Sequence, residues 1–126
     1  MSEYNGHSSV AIVDDEAGVV RTYELLFKRR QIPLAFTALD GIDAIEKFKA
    51  SMPKPKVVII DYRLPSMSGV ELMEKLLAIE PDTRVIFISG DDSIKESVLR
   101  TGADIFLKKP TKISDITESV NSLLVS

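Results

Sequence analysis

The 126-residue sequence contains no cysteine. This absence excludes disulfide bonds, thiolate nucleophiles and metal sites with sulfur ligands, so a metal ion would have to be bound through oxygen atoms. A chain without disulfides is typical of reducing compartments, and we expect a cytoplasmic location.

Long apolar runs are also missing. No stretch approaches the roughly 18 to 20 apolar residues needed to cross a bilayer, and the polar segment 1–8 lacks the apolar core of a signal peptide. The formal net charge of −3 opposes attraction to phosphate backbones. We therefore expect a soluble protein without membrane association or direct nucleic-acid binding. The single histidine, His7, lies in the polar segment and is expected to be inert.

The apolar residues that are present form short runs separated by longer segments. Continuous runs at 10–13, 57–60 and 85–88 are typical of parallel strands buried on both faces, and weaker runs at 34–38 and 105–107 predict strands at the sheet edges. Between them, apolar residues recur at helical spacings of three or four: Val20, Tyr23 and Phe27; Ile42, Ile45 and Phe48; Val70, Met73 and Leu77; Ile113, Ile116, Val120 and Leu123. Each series predicts one face of a helix.

Polar residues and glycine mark the helix boundaries. Ser68 and Ser93 each precede a glutamate by three residues, which is the spacing of a capping box. Asp40 is a third N-cap candidate, while Gly102 and Pro81 are suited to helix ends. These signals place helix starts and stops between the predicted strands.

Five strands alternating with five helices predict a doubly wound α/β fold. Each strand-to-strand connection crosses over through a helix, and such crossovers are right-handed in nearly all proteins. The expected architecture is a (βα)5 three-layer sandwich, flavodoxin-like, with a parallel sheet in the order 2-1-3-4-5. We expect one domain over 1–126, with a core at about 9–124 and a polar tail at 1–8.

Polar residues follow the strands at one edge of this sheet. They are Asp14 and Asp15 after the first strand, Asp61 after the third, Ser89 after the fourth and Lys109 after the fifth. Ligands bind at the carboxyl edge of open parallel sheets, so we expect these side chains to converge. Two carboxylates about 4 Å apart repel by roughly 4 kcal/mol at an effective dielectric of about 20, and cations are therefore required.

Lys109 supplies one cation, and a hard divalent ion, Mg²⁺ or Mn²⁺, suits an all-oxygen site as the second. The Ser89 hydroxyl and the Lys109 ammonium could then donate to an anion such as a phosphoryl group. A carboxylate beside such an ion could attack phosphorus and form an acyl phosphate. Taken singly, each residue has an ordinary structural interpretation as a cap, a turn former or a solvated lysine; only the joint pattern indicates a site.

Four segments carry a resemblance to a known family: "VDDE", "IIDYRLPSMSG", "FISG" and "GADIFLKKP". In this order and spacing, from about residue 9 to 124, the chain resembles the receiver domains of response regulators. The resemblance implies that Asp61 is the phosphoacceptor and that Asp15 binds Mg²⁺ directly with help from Asp14. It also implies that Asp61 and the backbone carbonyl of Arg63 complete the metal ligands.

The same resemblance assigns the remaining site residues. It implies that Ser89 follows the phosphate inward, that Phe106 changes rotamer behind it, and that Lys109 rather than Lys108 pairs with the phosphate. It further implies that the peptide bond before Pro110 is cis.

Three departures from the family pattern are mild. Ser89 stands where threonine is also common, Gly90 replaces the usual alanine, and Phe106 lacks a hydroxyl. We treat Gly90 and Pro110 as supporting residues. Arg63 and Asp91 are expected at the cavity mouth, where we hypothesise that they tune the access of water to the acyl phosphate.

The resemblance predicts a signalling switch rather than an enzyme acting on other substrates. Its partners would be a sensor histidine kinase or phosphotransfer protein as donor and a target protein on the face of the fourth helix, fifth strand and fifth helix. It could also form a homodimer on phosphorylation. One alternative is a phosphatase or phosphotransferase like the haloacid dehalogenases, but Arg63 stands where those enzymes carry an acid. Another is a phosphorylation-independent interaction module. Whether the chain acts alone or opens a longer regulator is left undecided.

Overall fold

The computed structural model describes residues 9–125, so the polar tail at 1–8, including His7, lies outside the described residues. The strands are β1 (Val10–Val13), β2 (Leu34–Ala38), β3 (Val57–Asp61), β4 (Arg84–Ser89) and β5 (Ile105–Lys108). The helices are α1 (Ala17–Arg29), α2 (Gly41–Ala50), α3 (Gly69–Ile79), α4 (Lys95–Thr101) and α5 (Ile113–Leu124), with one 3₁₀ turn (Asp92–Ile94) before α4.

The strands form one parallel sheet in the order β2-β1-β3-β4-β5, which confirms the predicted topology and the edge positions of β2 and β5. Neighbouring strands end at the same level: Val13 pairs with Ile60, Asp61 with Ile88, and Ser89 with Lys108. Residues that follow these ends are therefore delivered to one edge of the sheet.

The core consists of two layers, one on each face of the sheet. Alternate residues of β1 point to opposite faces, with Val10 and Ile12 in one layer and Ala11 and Val13 in the other. Helices α1 and α5 cover the first face, and α2, α3 and α4 cover the second. Because both faces are buried, the central strands are continuously apolar, and the three-layer sandwich is confirmed.

Two of the predicted N-caps are confirmed. The Asp40 carboxylate accepts a hydrogen bond from the Asp43 N–H at 2.8 Å, and the Ser68 hydroxyl accepts one from the Glu71 N–H at 3.1 Å. Gly102 ends α4 with a φ of 146°, and a Cβ there would lie 2.7 Å from Leu77 Cδ1. A residue with a side chain would be strained at this position.

Three sequence expectations are wrong, and the simplest is Ile113, which lies at the first position of α5 and is 52% exposed. Ser93 does not cap α4: the Asp91 carboxylate instead accepts from the N–H and hydroxyl of Ser93 at 3.0 and 2.6 Å, and this cap starts the 3₁₀ turn. Ile42 is 54% exposed, whereas Ala44 and Phe48 of α2 are fully buried. Ile42 and Phe48 stand about 120° apart around a helix but Ala44 and Phe48 only about 40°, so only the second pair faces the sheet.

Candidate functional site

The predicted site residues converge at the carboxyl edge of the sheet. Asp61 and Ser89 are the last residues of β3 and β4, and Asp14 and Lys109 directly follow β1 and β5. Strand-like hydrogen bonds continue past the ends, from Tyr62 N–H to the Ile88 carbonyl and from Lys109 N–H to the Ser89 carbonyl, both at 2.9 Å. A cavity of about 310 Å³ opens here, lined by Asp61, Tyr62, Arg63, Ser89, Gly90, Asp91 and Lys109.

Asp61 is 4% exposed, and its two carboxylate oxygens have different partners. Oδ2 accepts a hydrogen bond from the Arg63 N–H at 3.1 Å. Oδ1 is fully buried and forms an ion pair with the Lys109 ammonium, but it accepts no hydrogen bond of good geometry from the residues at 9–125. A buried carboxylate oxygen with spare acceptor capacity is suited to a cation or to covalent chemistry.

The ion pair with Asp61 also affects the pKa of the Lys109 ammonium. Burial alone would lower the pKa of its ammonium, but the close contact with the negatively charged Asp61 carboxylate outweighs burial and raises it. Lys109 is therefore a fixed positive charge within reach of any anion bound to Asp61.

Asp14 is a buried acid with an unfavourable charge. Burial raises the pKa of its carboxyl to about 6, and the nearby charge of Asp61 adds to this, while a hydrogen bond from the Glu16 N–H at 2.9 Å opposes it. Its ionised form is thus costly in the cation-free protein, and a bound cation would relieve that cost.

Three consecutive acids lie close enough together to hold a metal ion. Carboxylate oxygens of Asp14, Asp15 and Glu16 all lie within 4.8 Å of one another. Hard divalent ions such as Mg²⁺ prefer such all-oxygen sets with room for water, so the residues present fit this ion. The grouping differs from the predicted set, because Glu16 is included and Asp61 lies outside the 4.8 Å group, although its charge acts on Asp14.

Ser89 is the last residue of β4, and Phe106 lies on the neighbouring strand β5. Ser89 is 3% exposed, and its hydroxyl accepts a hydrogen bond from the Asp91 N–H at 3.0 Å. Phe106 is half-buried, and its ring stacks on Phe87 with centroids 6.5 Å apart. A Cβ on Gly90 would meet no atom within 4 Å, so the missing methyl group leaves the cavity mouth open there.

The predicted mouth residues do lie beside the cavity. Arg63 and Asp91 are both exposed. Hydrogen bonds from Ser93, with the charges of Arg63 and Lys108, lower the pKa of the Asp91 carboxyl, which is therefore ionised at neutral pH. The predicted cis peptide between Lys109 and Pro110 is present, and a second cis bond precedes Pro53.

Sequence reasoning missed Gly69, the first residue of α3. Its N–H donates to the Tyr62 carbonyl at 2.8 Å, and a Cβ on Gly69 would lie 2.5 Å from the backbone oxygen of Asp61. The glycine therefore lets α3 pack directly against the chain that carries Asp61. Its place directly after the Ser68 cap was the available signal.

The comparisons with known proteins agree with this geometry. The model of the response regulator receiver domain matches residues 10–121. The chain belongs to the response regulator receiver domain family. Receiver domains are the phosphoacceptor switches of two-component signalling, and this receiver domain is homologous to both chemotaxis and transcriptional regulators.

Two relatives illustrate that range. The receiver domain is 31% identical over 117 residues to the chemotaxis protein CheY of Treponema pallidum, covering 91% of this chain and 81% of that protein. It is 30% identical to the transcriptional regulatory protein PrrA of Mycobacterium tuberculosis, covering 91% of this chain but only 49% of that protein.

Solved structures share the fold over nearly the whole chain. The CheY-like receiver domain from Methanospirillum hungatei superposes with a TM-score of 0.85 at 25% identity, covering 94% of each chain. CheY in the CheX–CheY–BeF₃–Mg²⁺ complex of Borrelia burgdorferi gives 0.86 at 29% identity, covering 94% of this chain and 90% of that one. Among residues 9–125 there is no helix whose length and apolar character would let it span a bilayer.

Proposed function

We propose that Asp61 accepts a phosphoryl group from a phosphohistidine of a sensor histidine kinase or phosphotransfer protein. The observation that carries the proposal is the buried carboxylate of Asp61, which lines a 310 Å³ cavity and whose Oδ1 has the Lys109 ammonium as its charge partner. In the transfer, a carboxylate oxygen attacks phosphorus, a P–O bond forms and the P–N bond to the donor imidazole breaks.

The surrounding residues have separate roles in this transfer. Lys109 stabilises the negative charge on the phosphoryl oxygens, and the Ser89 hydroxyl donates to one of them. The residues that would hold Mg²⁺, or Mn²⁺, are Asp14, Asp15, Asp61 and the backbone carbonyl of Arg63. When bound, the ion neutralises charge on the acids and on the phosphoryl group.

Phosphorylation would act on the rest of the molecule through Ser89. Its hydroxyl now accepts from the Asp91 N–H, and that arrangement changes when the side chain turns towards a phosphoryl group. Phe106 would change rotamer behind it, altering the face of α4, β5 and α5, where a target protein or a second copy could bind. CheY in the solved complex carries BeF₃ and Mg²⁺ beside CheX, which supports a partner of this kind.

We also propose bounds for the domain and a cellular location for the protein. Residues 9–124 would form one receiver domain that acts in the cytoplasm and catalyses only its own phosphorylation and dephosphorylation. An enzyme of the haloacid dehalogenase type would need an acid two residues after Asp61, where Arg63 stands. The presence of all the acids and of Lys109 favours a phosphorylated switch over a phosphorylation-independent module.

The deciding experiment is incubation with Mg²⁺ and acetyl phosphate followed by intact mass spectrometry. We expect one added phosphoryl group on the wild type and none on Asp61→Asn. Asp82→Asn is the matched control, because Asp82 is an exposed acid before β4, at the opposite edge of the sheet. Phosphorylation of Asp61→Asn, or continuous turnover of acetyl phosphate without an adduct, would refute the proposal.

A further inference from the structure

A second cavity of about 510 Å³ lies between α1 and the loop that leads from β5 into α5. Lys109 lines both this cavity and the phosphoacceptor cavity. The buried side chains of Tyr23, Ile88 and Ile116 form its floor, and the more exposed Val19, Pro110 and Ile113 form its rim. Small-molecule sites typically have volumes of about 300 to 1,000 Å³ and mostly apolar walls, and this cavity meets both criteria.

The charged groups of this cavity lie where β1 and β5 end, and the hydroxyl-bearing Thr22 and Thr111 also line it. Asp14 and Glu16 contribute carboxylates there, and Lys109 contributes the cation. Because Lys109 is already paired with Asp61, its charge is largely compensated and the two acids leave that end negative. A ligand head group should therefore be positive.

Three hydroxyl-bearing residues line the cavity, and the hydroxyls of Thr22 and Thr111 already donate to the backbone carbonyls of Gly18 and Lys108. The ring of Tyr23 lines the cavity, and burial, with the charges of Asp14 and Asp61, raises the pKa of its hydroxyl to about 12. The hydroxyl consequently stays protonated and able to donate at neutral pH. It gives the apolar floor one oriented polar contact.

We propose that this cavity binds a small organic cation: an amine or amidine head group placed against Asp14 and Glu16, with an apolar body of about one ring on Ile88 and Ile116. An anion of the same shape would meet two carboxylates and is disfavoured. A neutral ligand would use the apolar floor but leave the acids uncompensated.

A ligand in this cavity would also affect Mg²⁺ binding at the phosphoacceptor site, an inference that rests on the proposed function. Asp14 faces the cavity and also belongs to the acidic group proposed to hold Mg²⁺. A bound amine and the metal ion would thus compete for one carboxylate. By linkage, the amine weakens Mg²⁺ binding by the same factor by which Mg²⁺ weakens amine binding.

The test is a titration of ¹⁵N-labelled protein in Mg²⁺-free buffer with benzylamine, benzyl alcohol and benzoate. We expect saturable shifts at the amides of Val19, Ile113 and Ile116, with a dissociation constant of about a millimolar for a probe of this size. Benzylamine should bind about twofold to fivefold more tightly than benzyl alcohol, because partly exposed ion pairs contribute this much. Benzoate should bind most weakly.

Substitutions distinguish the contribution of the acidic side chains to ligand binding from that of the apolar side chains. Glu16→Gln should reduce the preference for benzylamine over benzyl alcohol, whereas Glu46→Gln, an exposed acid on α2, should leave it unchanged. Ile113→Ala should weaken both probes; Ile113 is half exposed at the start of α5, so this variant should fold. Absence of saturable shifts, or equal affinities for benzylamine and benzyl alcohol, would overturn the proposal.

Repeating the titration with saturating Mg²⁺ tests whether benzylamine and Mg²⁺ compete for Asp14, separately from whether benzylamine binds. Weaker benzylamine binding in Mg²⁺ would support both the cavity and the metal assignment. Unchanged benzylamine binding in Mg²⁺ would leave the cavity supported and would contradict the sharing of Asp14. Failure of the proposed function and failure of the cavity are therefore distinguishable.

Discussion

Replacing Asp14 by asparagine should stabilise the cation-free protein at neutral pH. The carboxyl of Asp14 has its pKa raised from 3.8 to about 6 in the folded protein, chiefly by burial. The folded state therefore binds this proton more tightly than the unfolded state. The resulting stabilisation is present below pH 3.8 and is lost as the pH rises through about 6.

The size of the effect follows from the same values. Each tenfold change in proton affinity is worth ~1.4 kcal/mol, so the full difference approaches about 3 kcal/mol. Asp14 faces the larger cavity, where water screens its charge, and about 1 to 2 kcal/mol is the expected gain. For a domain of this size the gain corresponds to a rise in melting temperature of roughly 4 to 8 °C. Asparagine keeps an oxygen that can accept from the Glu16 N–H.

The assay is thermal and urea unfolding followed by circular dichroism, in EDTA, at about pH 7.5 and about pH 4.5. Asp14→Asn should exceed the wild type in stability at the higher pH, and the gap should shrink at the lower pH, where wild-type Asp14 is protonated. Asp15→Asn, at an exposed neighbouring acid, is the control and should change stability little. Saturating Mg²⁺ should narrow the gap by stabilising the wild type. An equal gap at both pH values, or a less stable variant at about pH 7.5, would refute the reasoning.

Three further substitutions test other parts of the site. Gly69→Ala should cost about 1 to 3 kcal/mol in urea unfolding, because its Cβ would overlap the Asp61 backbone oxygen; an unchanged midpoint would contradict the packing. Lys109→Ala should slow phosphorylation by acetyl phosphate about 10- to 100-fold, the equivalent of one charge-assisted hydrogen bond, and Lys108→Ala, the matched control, should not. Arg63→Ala should shorten the lifetime of the aspartyl phosphate about twofold to fivefold by unblocking the exposed mouth, and an unchanged rate of phosphate loss would reject that role.

The sheet and its functional edge were predictable from the sequence because their signals are local and strong. A strand covered on both faces must be apolar throughout, so the central runs ending at Val13, Asp61 and Ser89 could be placed to within a residue. In a parallel sheet all carboxyl ends meet at one edge, so the convergence of Asp61 with Lys109 followed from the topology.

Features that depend on loop conformation or helix rotation were not predictable in this way. Glu16 joins the acidic group because the chain turns back on itself between β1 and α1, bringing its N–H to Asp14. Asp91 displaces Ser93 as a cap because the chain enters α4 through a 3₁₀ turn. The exposure of Ile42 depends on the rotation of α2 about its own axis, which apolar spacing alone leaves open.

The strand that carries Asp61 is hydrogen-bonded on both sides, to β1 and β4, whereas β5 has a neighbour on one side only. Backbone amides of β3, like those of β1 and β4, should consequently exchange slowly with deuterium, and those of β5 and of the turn before α4 should be among the fastest in the sheet region. Phosphorylation would then occur on a rigid central strand, while the conformational change would occur in β5 and the turn before α4, which open locally most readily.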